Sequence, residues 1–328
     1  MRTKLMTLWA TAGIVCLIVG LGSPRADAGQ TIKLAHAVGT QDPYQYGSER
    51  FKEFVEKGSN GRLTVQIFPA GQLGNEREII EGVKLGTIEV GLVASAPLAG
   101  FSNAFLLFDL PFLFNDAPHA RRVMDGPIGE RVAKTLEPHG IQILAYNESG
   151  FRMMFNSKRA VTTPDDLKGL KFRVMENPVY VSLFKALGSS AVPIPFGEVY
   201  GSLQTGVVDG AEIPVNVIYA NKFYEQAKFM ALTRHTYTPT PFIANMKFVQ
   251  SLPPADQQIV TQAAKDAAAA QRALIDRRTA EFIELLKKEG VKVTDVDTAA
   301  FRTKAAPVHK EFEAKIGKDL LDAVLKTK

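Results

Sequence analysis

The sequence predicts an α/β fold of two lobes joined by a hinge, with one long helix crossing both. Three observations carry this. Strand-like and helix-like patterns alternate along the chain, and a second alternating unit begins near residue 150; such alternation gives βα units and sheets covered on both faces. The chain has 328 residues, and the 300 that follow its N-terminal segment exceed what one core ordinarily holds. The stretch 254–289 is rich in Ala, Gln, Glu, Lys and Arg without an internal Pro or Gly, a helix too long to stay within one small lobe.

Arg2 and Lys4 precede a mostly apolar run, residues 5–21, and Ala26-Asp-Ala28 offers an A-x-A cleavage pattern. This reads as a secretory signal peptide cleaved after Ala28. A retained anchor is the alternative, for which the apolar run is barely long enough. Cys16 is the only cysteine, and Val15 before it lacks the small residue of a lipoprotein site. The mature chain is therefore expected to hold its core without disulfides. Removing Arg2, Lys4, Arg25 and Asp27 from 39 cationic and 34 anionic side chains leaves a formal charge of +3. No block of Lys or Arg occurs, so nucleic acid and membrane surfaces are not expected partners.

In the mature chain 31–35 reads as strand, 44–57 as helix, 63–68 as strand, 76–85 as helix and 89–94 as strand. Next come a helix over 117–135 and two strands, 142–147 and 151–156. Thr163-Pro-Asp-Asp166 starts a helix, with Thr163 capping and Pro164 in the first turn. Leu170, Phe172 and Val174 alternate with Lys171 and Arg173 between Gly169 and Asn177-Pro178, a strand with Arg173 near its carboxyl end. An amphipathic stretch, 179–187, follows, and Glu198 and Tyr200 begin a further helix. The long helix shows apolar Ile259, Ala263, Ala267, Ala270, Leu274, Phe282, Leu285 and Leu286 and closes at Gly290. Its alternative is two helices broken near Asp276-Arg277-Arg278. The lobes are expected to comprise 29–150 with about 238–276, and 151–237 with about 277–328. Several crossovers between them restrict motion to opening and closing.

Arg173 is the most telling residue, because ligands in open α/β sheets collect at strand carboxyl ends. A planar guanidinium there can hold a carboxylate through two parallel hydrogen bonds, where Lys offers a point charge. A surface Arg on an edge strand is the plain alternative. Arg152 starts a strand at the lobe junction and could face the cleft. His36 and Tyr237 sit where the first lobe meets the cleft, and Asn177 and Asn216 offer amides near the Arg173 strand.

The succession Ile32-Lys-Leu-Ala-His36, Phe68-Pro-Ala-Gly-Gln-Leu-Gly-Asn75, Phe108-Asp-Leu-Pro-Phe-Leu-Phe114, Gly150-Phe-Arg152, the Arg173 segment, Gly188 to Tyr200 and Leu203 to Pro214 resembles the solute-binding proteins of tripartite ATP-independent periplasmic (TRAP) transporters, the DctP-like family. The resemblance implies a periplasmic-binding-protein fold whose cleft closes on ligand. It implies that Arg173 forms a salt bridge with the ligand carboxylate, that Arg152 assists, and that Phe196 packs on the ligand. Where the family usually reads Glu-Asn-Pro this chain has Glu212-Ile213-Pro214, losing a polar ligand contact; Asn216 is a possible replacement. Ala94, beside Ser95, stands at the position of an acidic contact in sialic-acid-binding members. Buried hydroxyls need partners, so both departures shade the ligand toward an aromatic, branched or short oxo or hydroxy acid. A sugar acid is the alternative ligand, and a sensory subunit the alternative destination.

An enzyme is not expected. The five His residues show no metal-ligand spacing, and neither a G-x-S-x-G elbow nor a phosphate-binding Gly loop occurs. No cofactor and no metal are expected. The expected protein is a periplasmic monomer whose partners are a small organic acid and the membrane subunits of a TRAP transporter.

Overall fold

The structure is a computed structural model that describes residues 29–327, so the signal peptide expected over 1–28 lies outside the described residues. The first lobe is laid down as β1 (Gln30–Ala35), α1 (Pro43–Gly58), β2 (Leu63–Phe68), α2 (Glu76–Leu85), β3 (Val90–Leu92), α3 (Ala117–Asp125) and α4 (Pro127–Lys134). Strand β4 (Ile141–Asn156) then crosses to the second lobe, which adds β5 (Lys171–Val174), α5 (Pro178–Ala186), β6 (Ser190–Pro193), α6 (Val199–Gln204), β7 (Gly210–Pro214), α7 (Val215–Ala220) and β8 (Phe229–Ala231). The chain returns through β9 (Tyr237–Asn245), continues in α8 (Met246–Ser251), and crosses again in α9 (Pro254–Lys288). It finishes with β10 (Lys292–Thr294), α10 (Thr298–Ile316) and α11 (Lys318–Lys326).

The strands run in the order β2-β1-β3-β9-β4-β7-β5-β6, with β8 joining β4 to β10. Within each lobe the βα strands are parallel, and β4 and β9 enter antiparallel. The two expected strands 142–147 and 151–156 are one 16-residue strand. Irregular register at Ile143/Ala145 and Glu148/Gly150 bends it, and Gly150 at φ 89° supplies a conformation that only Gly adopts cheaply. The first half of β4 thus pairs with β9 in the first lobe, and the second half with β7 and β8 in the other.

The helix expected over 117–135 is two, because Gly126 is extended ahead of Pro127, which starts α4 without an N–H to donate. The expected long helix is continuous: α9 has 35 residues and does not break near Asp276. It buries Val260, Ala263, Ala264 and Ala267 against the first sheet, and Phe282 and Leu286 against the second. Gln271, wholly buried between these halves, accepts from the Glu148 N–H at 3.2 Å and donates to the Glu148 carbonyl at 2.6 Å. The expectation that 277–328 packs wholly in the second lobe needs correction. Phe301 and Ala305 of α10 enter the core around Phe172 and Phe184, whereas Val308, Phe312 and Ile316, with Leu320, Leu321 and Val324 of α11, enter the first-lobe core around Ile79 and Phe105.

Candidate functional site

The carboxyl ends of strands from both lobes converge on one narrow cavity with ≈ 360 Å³ of empty space, counting its mouth. Val38, Tyr44, Glu76 and Ala94 form its first-lobe wall. Arg173, Met175, Phe196, Ile213, Pro214 and Val217 form the second-lobe wall, and the crossover strands add Ser149, Arg152 and Thr238.

In β5, Phe172 and Val174 point into the core, which turns Arg173 to the other face of the strand. Arg173 is only 2% exposed, and its Nε is fixed by the Ile194 carbonyl at 2.8 Å. Among the described residues it forms no salt bridge. Burial, with the like charge of Arg152 beside it, pushes its pKa down to about 10, although Glu212 and Glu76 pull the other way. A buried cation in this state gains most from an incoming anion.

Arg152 is in a different condition. Its guanidinium is spent on the protein: Nε and Nη2 meet the Glu212 carboxylate, with Nη2 to Oε1 at 2.8 Å, and Nη1 donates to Thr238 Oγ1 at 3.1 Å. The Tyr180 ring lies beneath, its centroid 5.4 Å from Cζ. Burial alone would lower the Arg152 pKa, but the charge of Glu212 overrides it and raises it. Burial likewise opposes ionised Glu212, yet Arg152 and a hydrogen bond from His235 hold that carboxyl below its usual range. His235, held neutral by burial, donates through Nε2 to Glu212 at 3.3 Å and accepts the Thr233 hydroxyl at Nδ1, 2.8 Å away. Arg152 therefore contributes a fixed positive field and one wall, rather than an open fork.

Of the other residues singled out in the sequence, Phe196 and Ile213 stand on the cavity wall, as does Ala94. Asn177 does not. It caps α5, accepting from the Val179 N–H at 2.9 Å, and its NH₂ is consumed by Asp109 at 2.9 Å and the Ala96 carbonyl at 3.2 Å. Tyr237 also lies elsewhere: its hydroxyl donates to buried Glu148, and its ring packs edge-on against Phe151 and Phe114. His36 is fully buried against Gln45 at 3.0 Å, short of the wall, which its chain neighbour Val38 reaches. Ser95 and Asn216 are buried without reaching it either, while Ala94, Pro214 and Val217 beside them do.

Glu76 escaped the sequence reading. An acid directly after a capping Asn reads as a complement to the helix dipole, and only the packing of α2 beside β3 shows its side chain turned to the strand ends. Its Oε1 accepts from the Ala94 N–H at 2.6 Å. Burial raises its pKa, against the pull of that hydrogen bond and of Arg173 and Arg152. The cavity thus sets a carboxyl acceptor across from a guanidinium donor, between apolar Phe196, Ile213 and Met175.

A profile of the family described as bacterial extracellular solute-binding protein, family 7 (DctP), matches residues 34–315. The 2,3-diketo-L-gulonate-binding periplasmic protein YiaO of Escherichia coli (strain K12) is 36% identical over 301 residues, 90% of this chain and 92% of that one. Among solved structures, a TRAP periplasmic solute-binding protein from Polaromonas sp. JS666 bound to D-erythronate superimposes with a TM-score of 0.89 at 38% identity, covering 91% of this chain and 99% of its own. One from Bordetella bronchispeptica, with density assigned to pantoate, gives the same TM-score, identity and coverage. Fold, cleft and these similarities agree: the chain belongs to the DctP family of TRAP solute-binding proteins, which bind their solutes without chemical conversion.

Proposed function

We propose that this protein captures a short hydroxylated monocarboxylate in the periplasm, closes its lobes on it, and delivers it to the membrane subunits of an ion-coupled TRAP transporter. The observation that carries this reading is the buried Arg173 guanidinium, held by one backbone carbonyl and facing Glu76. The ligand carboxylate takes the open edge of Arg173, exchanging desolvation for charge-assisted hydrogen bonds. Glu76 accepts from a hydroxyl at the ligand's other end, with Tyr44, Ser149 and Thr238 supplying the remaining polar wall. Ile213, Phe196 and Met175 leave the middle of the ligand an apolar surround, which suits a short or branched hydroxy acid better than a fully hydroxylated ring. Similarity to a chain bound to D-erythronate, one with density assigned to pantoate and a 2,3-diketo-L-gulonate-binding protein supports this reading.

A thermal-shift screen of D-erythronate, pantoate, β-D-glucuronate, succinate and an aromatic oxo acid, on wild type and Ile213→Asn, tests the reading. Wild type is expected to respond most to D-erythronate or pantoate, and Ile213→Asn to move the preference toward β-D-glucuronate. Strongest stabilisation of wild type by β-D-glucuronate, succinate or the aromatic acid would refute the assignment.

A further inference from the structure

We propose that the shut cleft is held by two reciprocal asparagine latches at its rim, Asn75 on Gly197 and Asn221 on Gly39, which govern ligand release without touching the ligand. Asn75 belongs to the first lobe, at the start of α2, and its Oδ1 accepts from the Gly197 N–H of the second lobe at 3.0 Å. Asn221 follows α7 in the second lobe, and its Oδ1 accepts from the Gly39 N–H of the first lobe at 3.1 Å. Its NH₂ donates to the Val217 carbonyl of its own lobe at 3.0 Å and to the Asp42 carboxyl of the first lobe at 3.3 Å. Each lobe therefore gives one asparagine Oδ1 to a backbone N–H of the other, and Asp42 of the first lobe adds a second partner for Asn221.

Both latches flank the ligand cavity. Glu76 and Phe196, chain neighbours of the first pair, are wall residues, and Val38 stands beside Gly39 on the same wall. Neither Gly39 nor Gly197 has a positive φ, so close approach rather than backbone conformation calls for glycine. A Cβ on Gly197 would lie 2.9 Å from Asn75 Oδ1, and one on Gly39 3.2 Å from Asn221 Oδ1. Donor and acceptor ride on different lobes, so parting the rim by about 1 Å takes both bonds out of range. Because the two bonds run in opposite senses, a closure that satisfies both also fixes the relative twist of the lobes.

The latch inference rests on the reading that ligand enters an opened cleft. Titration calorimetry with D-erythronate and pantoate is the first test. Asn75→Ala is expected to weaken both acids by the same factor, about 3- to 10-fold, the effect of one partly exposed hydrogen bond, and Asn221→Ala, which also loses the bond to Asp42, to weaken both acids equally and by at least as much. The double variant should multiply the two losses. Unchanged affinities, or a loss that differs between the acids, would overturn the proposal, the second outcome marking direct ligand contact. A ligand-free test separates failure of the latch from failure of the ligand assignment. Asn75→Cys with Gly197→Cys, in a mature chain with no other cysteine, is expected to form a reducible cross-link under mild oxidation even if neither acid binds. Absence of that cross-link would equally overturn the latch.

Discussion

Two buried guanidinium groups share one cavity and differ in what they lack. Arg152 is saturated by Glu212 and Thr238, whereas Arg173 carries its charge against burial with Ile194 as its one fixed partner among the described residues. The sequence, with the family resemblance, already put Arg173 ahead of Arg152; what it could not show is the reason, because the distinction follows from neighbours brought in by other strands. Phe196 and Ile213 were legible through the family resemblance, as an aromatic position and a departure from Glu-Asn-Pro, and both line the cavity. Glu76 was not, since its role depends on β3, and Asn177 misled because a cap and a ligand contact ask for the same side chain. Asp109 shows the same dependence. Burial pushes its pKa up to about 7, although the Tyr180 hydroxyl at 3.0 Å and Arg152 oppose this. A raised carboxyl pKa favours the folded state when protonated: that contribution is complete below the ordinary value of 3.8 and is lost as pH climbs through about 7. Urea unfolding at pH 5 and pH 8 should therefore show Asp109 costing wild type stability toward pH 8, against the opposite contribution of His36 and His235, whose pKa values burial lowers. Asp109→Asn should lose less, with a remainder from Asp42, whose pKa burial also pushes up to about 7. A variant whose pH slope equals that of wild type would refute this source.

At the scale of elements, α9 was the most legible feature, because propensity, absence of breakers and Gly290 agree over 35 residues. At about 1.5 Å per residue it runs roughly 50 Å, which places its halves on different sheets. Strand β4 reads as two in the sequence because Glu148-Ser-Gly150 looks like a turn; the bulge and the positive φ of Gly150 absorb it within the strand. The placement of α10 and α11 was invisible, because an amphipathic pattern states that a face is buried and not what buries it. The exposed middle of α9 gives a direct test. Arg277→Pro should destabilise by about 3 kcal/mol in chemical denaturation, whereas Arg277→Ala should be near neutral. Equal stability of the two would mean that α9 need not be continuous there.

Over the whole molecule, β4, β9 and α9, three of the segments that cross between the lobes, meet at one charged junction. Glu148 of β4 receives Arg121 of α3 at 2.8 and 2.5 Å and the Tyr237 hydroxyl of β9, and Arg121 also grips Asp276 of α9 at 2.8 and 2.7 Å. Tying both strands and the helix at one point leaves the lobes a hinge rather than free rotation, a junction that chain order implied but whose residues no local pattern announced. A ligand that bridges Arg173 and the opposite wall binds the shut state better than the open one and so raises its population. Presenting that shut state to the membrane subunits is the proposed signal for delivery. Calorimetric titration of wild type, Arg173→Ala and Arg173→Lys with the acid that ranks first in the screen addresses this most directly. Arg173→Ala is expected to give no binding heat with its fold intact, and Arg173→Lys to lose about 100-fold or more, since an ammonium cannot replace two charge-assisted bonds. Wild-type affinity in either variant would contradict the assignment of Arg173 as the carboxylate anchor.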